Sequence, residues 1–305
     1  MEIYLPVAQL AVNSFVLLGI GLAVGFLSGM LGVTGGFITT PLLIFYGIPS
    51  GIAVASQASP VAAAALVGAI RQGGKKSVDY KMGLWLLAGG LAGSAVGVTI
   101  FRMLQQIGQI DFTIKISYLI LLGAIGGLML IESVRAIRAA RTGVRIERRP
   151  GQHTWIHRLP FKMRFYRSAL YISVIPVVVL GFLVGIMTAI LGTGGAFILI
   201  PAKVYLLRMR TSLAIGTSQF QMFIVACMAT VLHSSIDHTV DIVLAIILVI
   251  GGVVGAQFGI RAGSRLRAEE LRTALALLII AIAIRLFIEL VMTPSELFTL
   301  ITSLG

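Results

Sequence analysis

Two groups of hydroxyl and amide side chains recur beside glycines in this sequence. Thr34 lies in the run Gly32-Val33-Thr34-Gly35-Gly36, and Thr193 in the run Gly192-Thr193-Gly194-Gly195. Ser56 and Gln57 follow the first run, and Thr217, Ser218 and Gln219 follow the second. Such groups donate hydrogen bonds without carrying a charge. They can therefore hold an oxyanion and still release it. Lys203, just past Pro201 where the first copy has Leu43, adds a full positive charge. It either pairs with an anionic ligand or snorkels to a membrane interface. The same residue types also glue membrane helices together, with glycines as packing surfaces.

The elements that position these groups are duplicated. The stretch Gly25 to Pro41 reappears as Gly185 to Pro201 at a constant offset of 160, with Leu31-Gly32 on Leu191-Gly192, Gly35 on Gly195 and Phe37-Ile38 on Phe197-Ile198. The pairing continues with Ala53 to Gln57 on Ala214 to Ser218 at offset 161, and with Val78-Asp79 on Val240-Asp241 at offset 162. That creep is what an old duplication with two single-residue loop changes leaves behind. In each copy a long apolar run meets a glycine-rich break, and a short apolar stretch follows. Each therefore reads as a helix, a break and a half-helix. A break inside lipid exposes backbone polar groups, so it must face protein or a polar cavity. Each half-helix, from Gly36 or Ala196, points its positive N-terminal end into the break, which makes an anion site. Two such ends converging near the midplane are the arrangement of secondary transporters for anions.

Composition fixes the solvent. Of 305 residues, 58% are hydrophobic and 11% charged, with a mean hydropathy of +1.01, so this is an integral membrane protein. The first apolar run is preceded by Glu2 and no basic residue and reads as a retained helix rather than a cleaved signal peptide. The single Cys227 excludes an intramolecular disulfide and a cysteine metal cluster. At about 20 residues per span, helices are expected over 9–31, 36–47, 52–70, 82–103 and 113–138, and again over 169–191, 196–207, 212–233, 240–261 and 270–292. The fold class is an all-α polytopic membrane protein of two inverted-topology repeats, each a broken hairpin plus three spanning helices. The N-terminal repeat covers 9–138, a basic cytoplasmic linker 139–168 and the C-terminal repeat 169–292.

The net charge of +13 does not point to nucleic acid, because ten of the 24 Lys and Arg fall between Arg135 and Arg167 and most others edge apolar segments. With each broken hairpin contributing no net crossing, 21 basic residues fall on one face and only Arg102 and Lys115 on the other, with Arg285 inside the last helix. The first face is cytoplasmic. Both termini and the turn His233 to Asp241 are then extracytoplasmic. The linker, with Trp155, Phe161, Phe165 and Tyr166 among its basic residues, reads as a segment lying on an anionic inner leaflet. Arg285 and Glu289, four residues apart on the last helix, are expected to satisfy each other.

The doubled motif from Gly25 to Pro41, with the helix start Ala53 to Gln57 and their second copies, resembles the TauE/SafE sulfite exporter family of membrane permeases, over about Phe15 to Leu290. The resemblance implies transport of small sulfur-containing or organic anions such as sulfite, a sulfonate or sulfoacetate across the bacterial inner membrane. The sequence departs from the family pattern at one place: Ala55-Ser56-Gln57 stands where Gly-Thr-Ser is usual, whereas the second copy keeps Gly216-Thr217-Ser218. The longer Gln57 reshapes the site.

The partners expected are a small anionic substrate and the bilayer, with no nucleic acid, cofactor or metal. No carboxylate sits mid-span as a proton relay, and export of an anion down the membrane potential needs none. An anion channel or an ion-coupled uptake permease shares the same features. An intramembrane protease built on Ser28 and His233 is disfavoured by the duplication, because the second copy has Thr188 in place of Ser28 and no second histidine serves it. The group His233, Asp237, His238 and Asp241 reads as a solvated turn rather than a metal site.

Overall fold

A cap, rather than the start of an apolar run, sets where each half enters its first helix. In the computed structural model, which describes residues 2–31, 35–74, 77–142, 160–168, 170–207, 209–263 and 268–291, strand β1 (Glu2–Leu5) pairs antiparallel with β2 (Leu10–Asn13). Strand β3 (Lys162–Phe165) pairs in the same way with β4 (Leu170–Ser173). Glu2 faces Asn13, and Lys162 faces Ser173. The two hairpins superpose in sequence at offset 160, like the glycine motif. Asn13 Oδ1 accepts from the Phe15 amide at 3.0 Å, and Ser173 Oγ from the Ile175 amide at 3.2 Å. These caps start helices α1 (Ser14–Leu31) and α6 (Val174–Leu191). The expectation of helix from 9 and 169 is corrected here: the residues before each cap form a strand, because Asn and Ser side chains compete for the first amides and end the extended segment. The hairpin Lys162–Ser173 also straddles position 168, where the linker was expected to end. Residues 143–159 of that linker lie outside the described residues.

The first half continues with α2 (Gly36–Phe45), α3 (Ser50–Gly74), α4 (Tyr80–Gln106) and α5 (Ile110–Thr142). The second half matches it with α7 (Ala196–Tyr205), α8 (Thr211–Leu232), α9 (Ile242–Gly263) and α10 (Ala268–Val291). Seven of the described helices are long and apolar enough to cross a membrane, while α2 is a ten-residue apolar helix. The protein is a polytopic α-helical membrane protein, and the two hairpins are its only described sheet structure.

The halves are interleaved. Helix α1 lies along α9, α4 along α6, α3 against α8 and α5 against α10. The first two pairings are backbone to backbone. A Cβ on Gly25 would lie 2.2 Å from the Gly252 carbonyl oxygen, and one on Gly29 2.2 Å from that of Ala256. Across the other pair, a Cβ on Gly89 would lie 2.1 Å from the Val178 oxygen and one on Gly93 2.0 Å from that of Phe182. With no hydrophobic drive between helices in lipid, such close approach supplies the packing energy. Two buried clusters follow, one around Leu17, Leu43, Phe101 and Tyr118, the other around Met82, Leu86, Phe165 and Leu199.

Two local expectations are overturned. Glu289 does not pair with Arg285: its carboxylate meets Lys115 Nζ at 2.7 Å across α5 and α10, and Arg285 lies over the Phe45 ring at 4.2 Å. An aromatic face attracts a guanidinium, and the partner helix brings an ammonium closer to the carboxylate. The turn after α8 is not simply solvated either. It is one π-type turn, His233–Asp237, in which His233 is buried, with its Nδ1 3.0 Å from Asp237 Oδ2 and its Nε2 donating to the Ala189 carbonyl at 3.0 Å. Asp241 is also buried, whereas His238 is exposed.

Candidate functional site

The second break is built from left-handed glycines. Gly192, Gly194 and Gly195 have φ of 63°, 69° and 55°, a region costly for residues with a Cβ. The Gly192 amide closes α6 on the Thr188 carbonyl at 2.9 Å, and Gly195 donates to Thr193 Oγ1 at 3.3 Å before α7 begins. Tyr118 of α5 donates from its hydroxyl to the Leu191 carbonyl. In the first break, Gly32 and Thr34 lie outside the described residues. Gly35 is described, and its carbonyl accepts from the Ile38 and Thr39 amides and from Thr39 Oγ1, which starts α2.

The breaks touch. A Cβ on Gly36, the first residue of α2, would lie 2.8 Å from the Gly192 oxygen and 2.9 Å from that of Thr193. Equivalent glycines meet equivalent neighbours: a Cβ on Gly35 would strike Val24 Cγ1 at 2.4 Å, and one on Gly195 Val184 Cγ1 at 2.3 Å.

Beside this junction is a small cavity between α1, α2, α3 and α9. It is lined by Val24 and Ser28, by Gly35, Gly36 and Thr39, by Gln57 and Val61, and by Leu248 and Gly252. Its open space is about 30 Å³, room for one or two waters or a ligand of a few atoms. Gln57 is 3% exposed, and its Oε1 has no hydrogen-bond partner among the described residues. A buried amide left half-satisfied costs stability, and its two ends exchange by a simple rotation. The unpaired atom is the carbonyl oxygen, so this end donates to an anionic guest only once the amide has turned over. The start of α2 contributes its positive end to the same space.

The sequence-predicted site residues fall into two groups. Gly35, Gly36 and Gln57 gather at this cavity, with Gly192 and Thr193 packed against Gly36. Ser56 turns instead toward α9, where its Oγ accepts from the Asp241 amide at 2.8 Å. Thr217, Ser218 and Lys203 form a separate buried cluster in the second half. There Thr217 Oγ1 accepts from the Asp79 amide at 3.0 Å, and Ser218 Oγ from Lys203 Nζ at 2.9 Å. Gln219 packs on α3, where a Cβ on Gly68 would meet its Cδ at 2.8 Å. Lys203 is fully buried, which corrects the snorkelling alternative. Its amino group turns to the Ser218 hydroxyl of α8 instead of to a surface.

Sequence reasoning missed Thr39, Asp79 and Asp241. Thr39 lines the cavity one turn into α2. Asp79 was visible only as a partner in the repeat alignment, and Asp241 there and in a turn read as solvated; nothing in their spacing shows that both are buried.

The family profile described as "Sulfite exporter TauE/SafE" matches residues 17–286. The chain is 25% identical over 218 residues to "Probable membrane transporter protein YjnA" of Bacillus subtilis, covering 70% of this chain and 77% of that protein. It is 24% identical over 236 residues to "Probable membrane transporter protein YunE" of the same organism, covering 74% and 80%. A "Probable membrane transporter protein" of Xylella fastidiosa is 28% identical over 230 residues, covering 74% and 77%. No solved structure gives a significant match.

Proposed function

We propose that this chain, which belongs to the TauE/SafE sulfite exporter family and is a multi-pass membrane transporter, exports a small sulfur-containing or organic anion from the cell. The anion binds in the cavity where Gln57 meets the start of α2. One observation carries the reading: the buried Gln57 amide, with its oxygen unsatisfied, lines the same cavity as the start of α2, and turning that amide over presents its NH2 to a guest. A neutral donor and a partial positive charge bind an oxyanion without trapping it. The small cavity favours a compact ion such as sulfite, and a sulfonate or sulfoacetate requires the walls to part.

The protein sits in the bacterial inner membrane, with the β1–β2 hairpin and both termini outside. The basic hairpin β3–β4 lies on the cytoplasmic face, where Lys81 Nζ donates to the Arg164 carbonyl at 3.3 Å. The halves are inverted repeats. Outward movement of a monovalent anion at 100 mV gains about 2.3 kcal/mol, about a fifty-fold gradient, so no coupling ion is required.

The experiment is uptake into proteoliposomes, with sulfite, a short sulfonate and a carboxylate offered in parallel under an imposed potential. Saturable uptake of sulfite, reduced by the other two in competition, supports the reading. Uptake of none of the three overturns it.

A further inference from the structure

We propose that Asp241 and Asp79 are positioning residues that latch opposite ends of the transport path, each by tying a β-hairpin to the start of a helix in the other half. The inference rests on the site beside Gln57 and adds to it the elements that open it.

The wiring at Asp241 joins three elements. Its Oδ1 accepts from the Val243 and Leu244 amides at 3.1 Å and so caps α9. Its Oδ2 accepts from the Val7 amide at the tip of the β1–β2 hairpin at 3.0 Å. Its own amide donates to Ser56 Oγ on α3 at 2.8 Å. Ser56 is the neighbour of Gln57, and α9 supplies Leu248 and Gly252 to the cavity wall. The hairpin itself leads into α1. Three of the four helices around the cavity thus meet at one buried aspartate, α1 and α9 through its carboxylate and α3 through its amide.

The second half repeats the wiring with different donors. Asp79 Oδ1 accepts from the Met82 amide at 3.2 Å, capping α4. Its Oδ2 accepts from the Ser168 amide at 3.1 Å and Ser168 Oγ at 2.5 Å, at the tip of the β3–β4 hairpin. Its amide donates to Thr217 Oγ1 on α8 at 3.0 Å, beside Ser218. A helix cap uses one carboxylate oxygen. In both copies the other oxygen reaches a hairpin far away in the chain, so capping alone does not account for the pair. Because a hydroxyl that accepts an amide must send its own proton elsewhere, each latch also fixes the direction in which Ser56 or Thr217 donates. Releasing the Asp241 carboxylate frees the β1–β2 hairpin, and with it α1, from the start of α9 on the extracytoplasmic side. Releasing the Asp79 carboxylate frees the β3–β4 hairpin, and with it α6, from the start of α4 on the cytoplasmic side.

The test uses the single native cysteine. In a Cys227→Ser background, Ala64→Cys places one thiol on the cavity wall, and a membrane-impermeant maleimide is applied to right-side-out and inside-out vesicles. Asp241→Asn keeps the capping oxygen but replaces the one that holds Val7. Expected is a rise of about tenfold in labelling from the extracytoplasmic side alone, the factor equivalent to losing about 1.4 kcal/mol of charge-assisted hydrogen bonding. Asp79→Asn is expected to raise labelling from the cytoplasmic side alone. Should either aspartate variant fail to fold, Val7→Pro removes the amide that Asp241 holds, and Ser168→Ala removes the hydroxyl but not the amide that Asp79 holds; the first gives the same outcome and the second a smaller rise from the cytoplasmic side. Unchanged labelling in the folded variants overturns the latches, and so does an equal rise from both faces, which marks general loosening. Labelling needs no substrate, so a protein that moved none of the anions offered would overturn the substrate reading and leave the latches standing.

Discussion

Gln57 and Ser218 occupy equivalent positions in the two halves but have unequal surroundings. Ser218 accepts from Lys203 Nζ, whereas the first copy has Leu43 in place of that lysine and Gln57 Oε1 stays unsatisfied beside a cavity. On this asymmetry, together with the cavity, the proposed ligand site is placed in the first half. Gln57→Ala is expected to cut anion flux by at least about tenfold, the worth of roughly one hydrogen bond to a charged group, while folded yield is kept; flux and size-exclusion profile together check it. The second cluster predicts a contrast in stability. Lys203→Met removes a buried polar amino group together with its desolvation cost, so the melting temperature in detergent should hold or rise. Ser218→Ala leaves that amino group without its hydroxyl partner and should cost about 1–3 kcal/mol. A larger loss for Lys203→Met than for Ser218→Ala would contradict this account of the cluster. The candidate residues were legible at this scale because hydroxyls and amides are rare in apolar runs. Their grouping was not, since side-chain direction decides whether Ser56 faces a ligand or the Asp241 amide, and spacing along a helix does not carry that information.

Glycine spacing along α1, α4, α6 and α9 decides which helices meet. Where a Cβ on Gly93 would sit 2.0 Å from the Phe182 oxygen, no rotamer relieves the clash, because the obstacle is backbone. Gly93→Leu should therefore force α4 off α6 and lower folded yield sharply. Gly127→Leu on α5, where a Cβ meets nothing within 4 Å, should not. Comparing the two by fluorescence-detected chromatography checks the prediction, and equal yields would contradict it. Elements were legible by apolar length to within a few residues at most ends, because length in lipid is set by bilayer thickness. The hairpins were not. Their strands are four residues long, residues 9–13 and 169–173 continue into an apolar run, and of the aligned hairpin residues only Leu10 and Leu170 are identical. The caps at Asn13 and Ser173 were the available signal, one polar residue each ahead of an apolar helix.

The whole molecule is two copies of one plan laid against each other, with each hairpin held by an aspartate at the start of a helix in the opposite half or its own border: Val7 on Asp241, and Ser168 on Asp79. The 160-residue offset made the duplication visible, and the distribution of Lys and Arg gave it an orientation. Interleaving of the halves was not visible, because contacts between helices distant in sequence leave no trace in one chain's periodicity. If the halves are inverted, a tag on either terminus is protected from protease in inside-out vesicles and accessible in right-side-out ones. The reverse pattern would refute the orientation.

The central claim is that an anion crosses through the Gln57 cavity under the membrane potential alone. It is tested most directly by recording current from proteoliposomes adsorbed on a supported membrane as sulfite is added at fixed pH and without sodium. The account predicts a saturable current whose sign is that of anion entry, lost in Gln57→Ala. Sulfite uptake without current, or current that persists unchanged in Gln57→Ala, would contradict it.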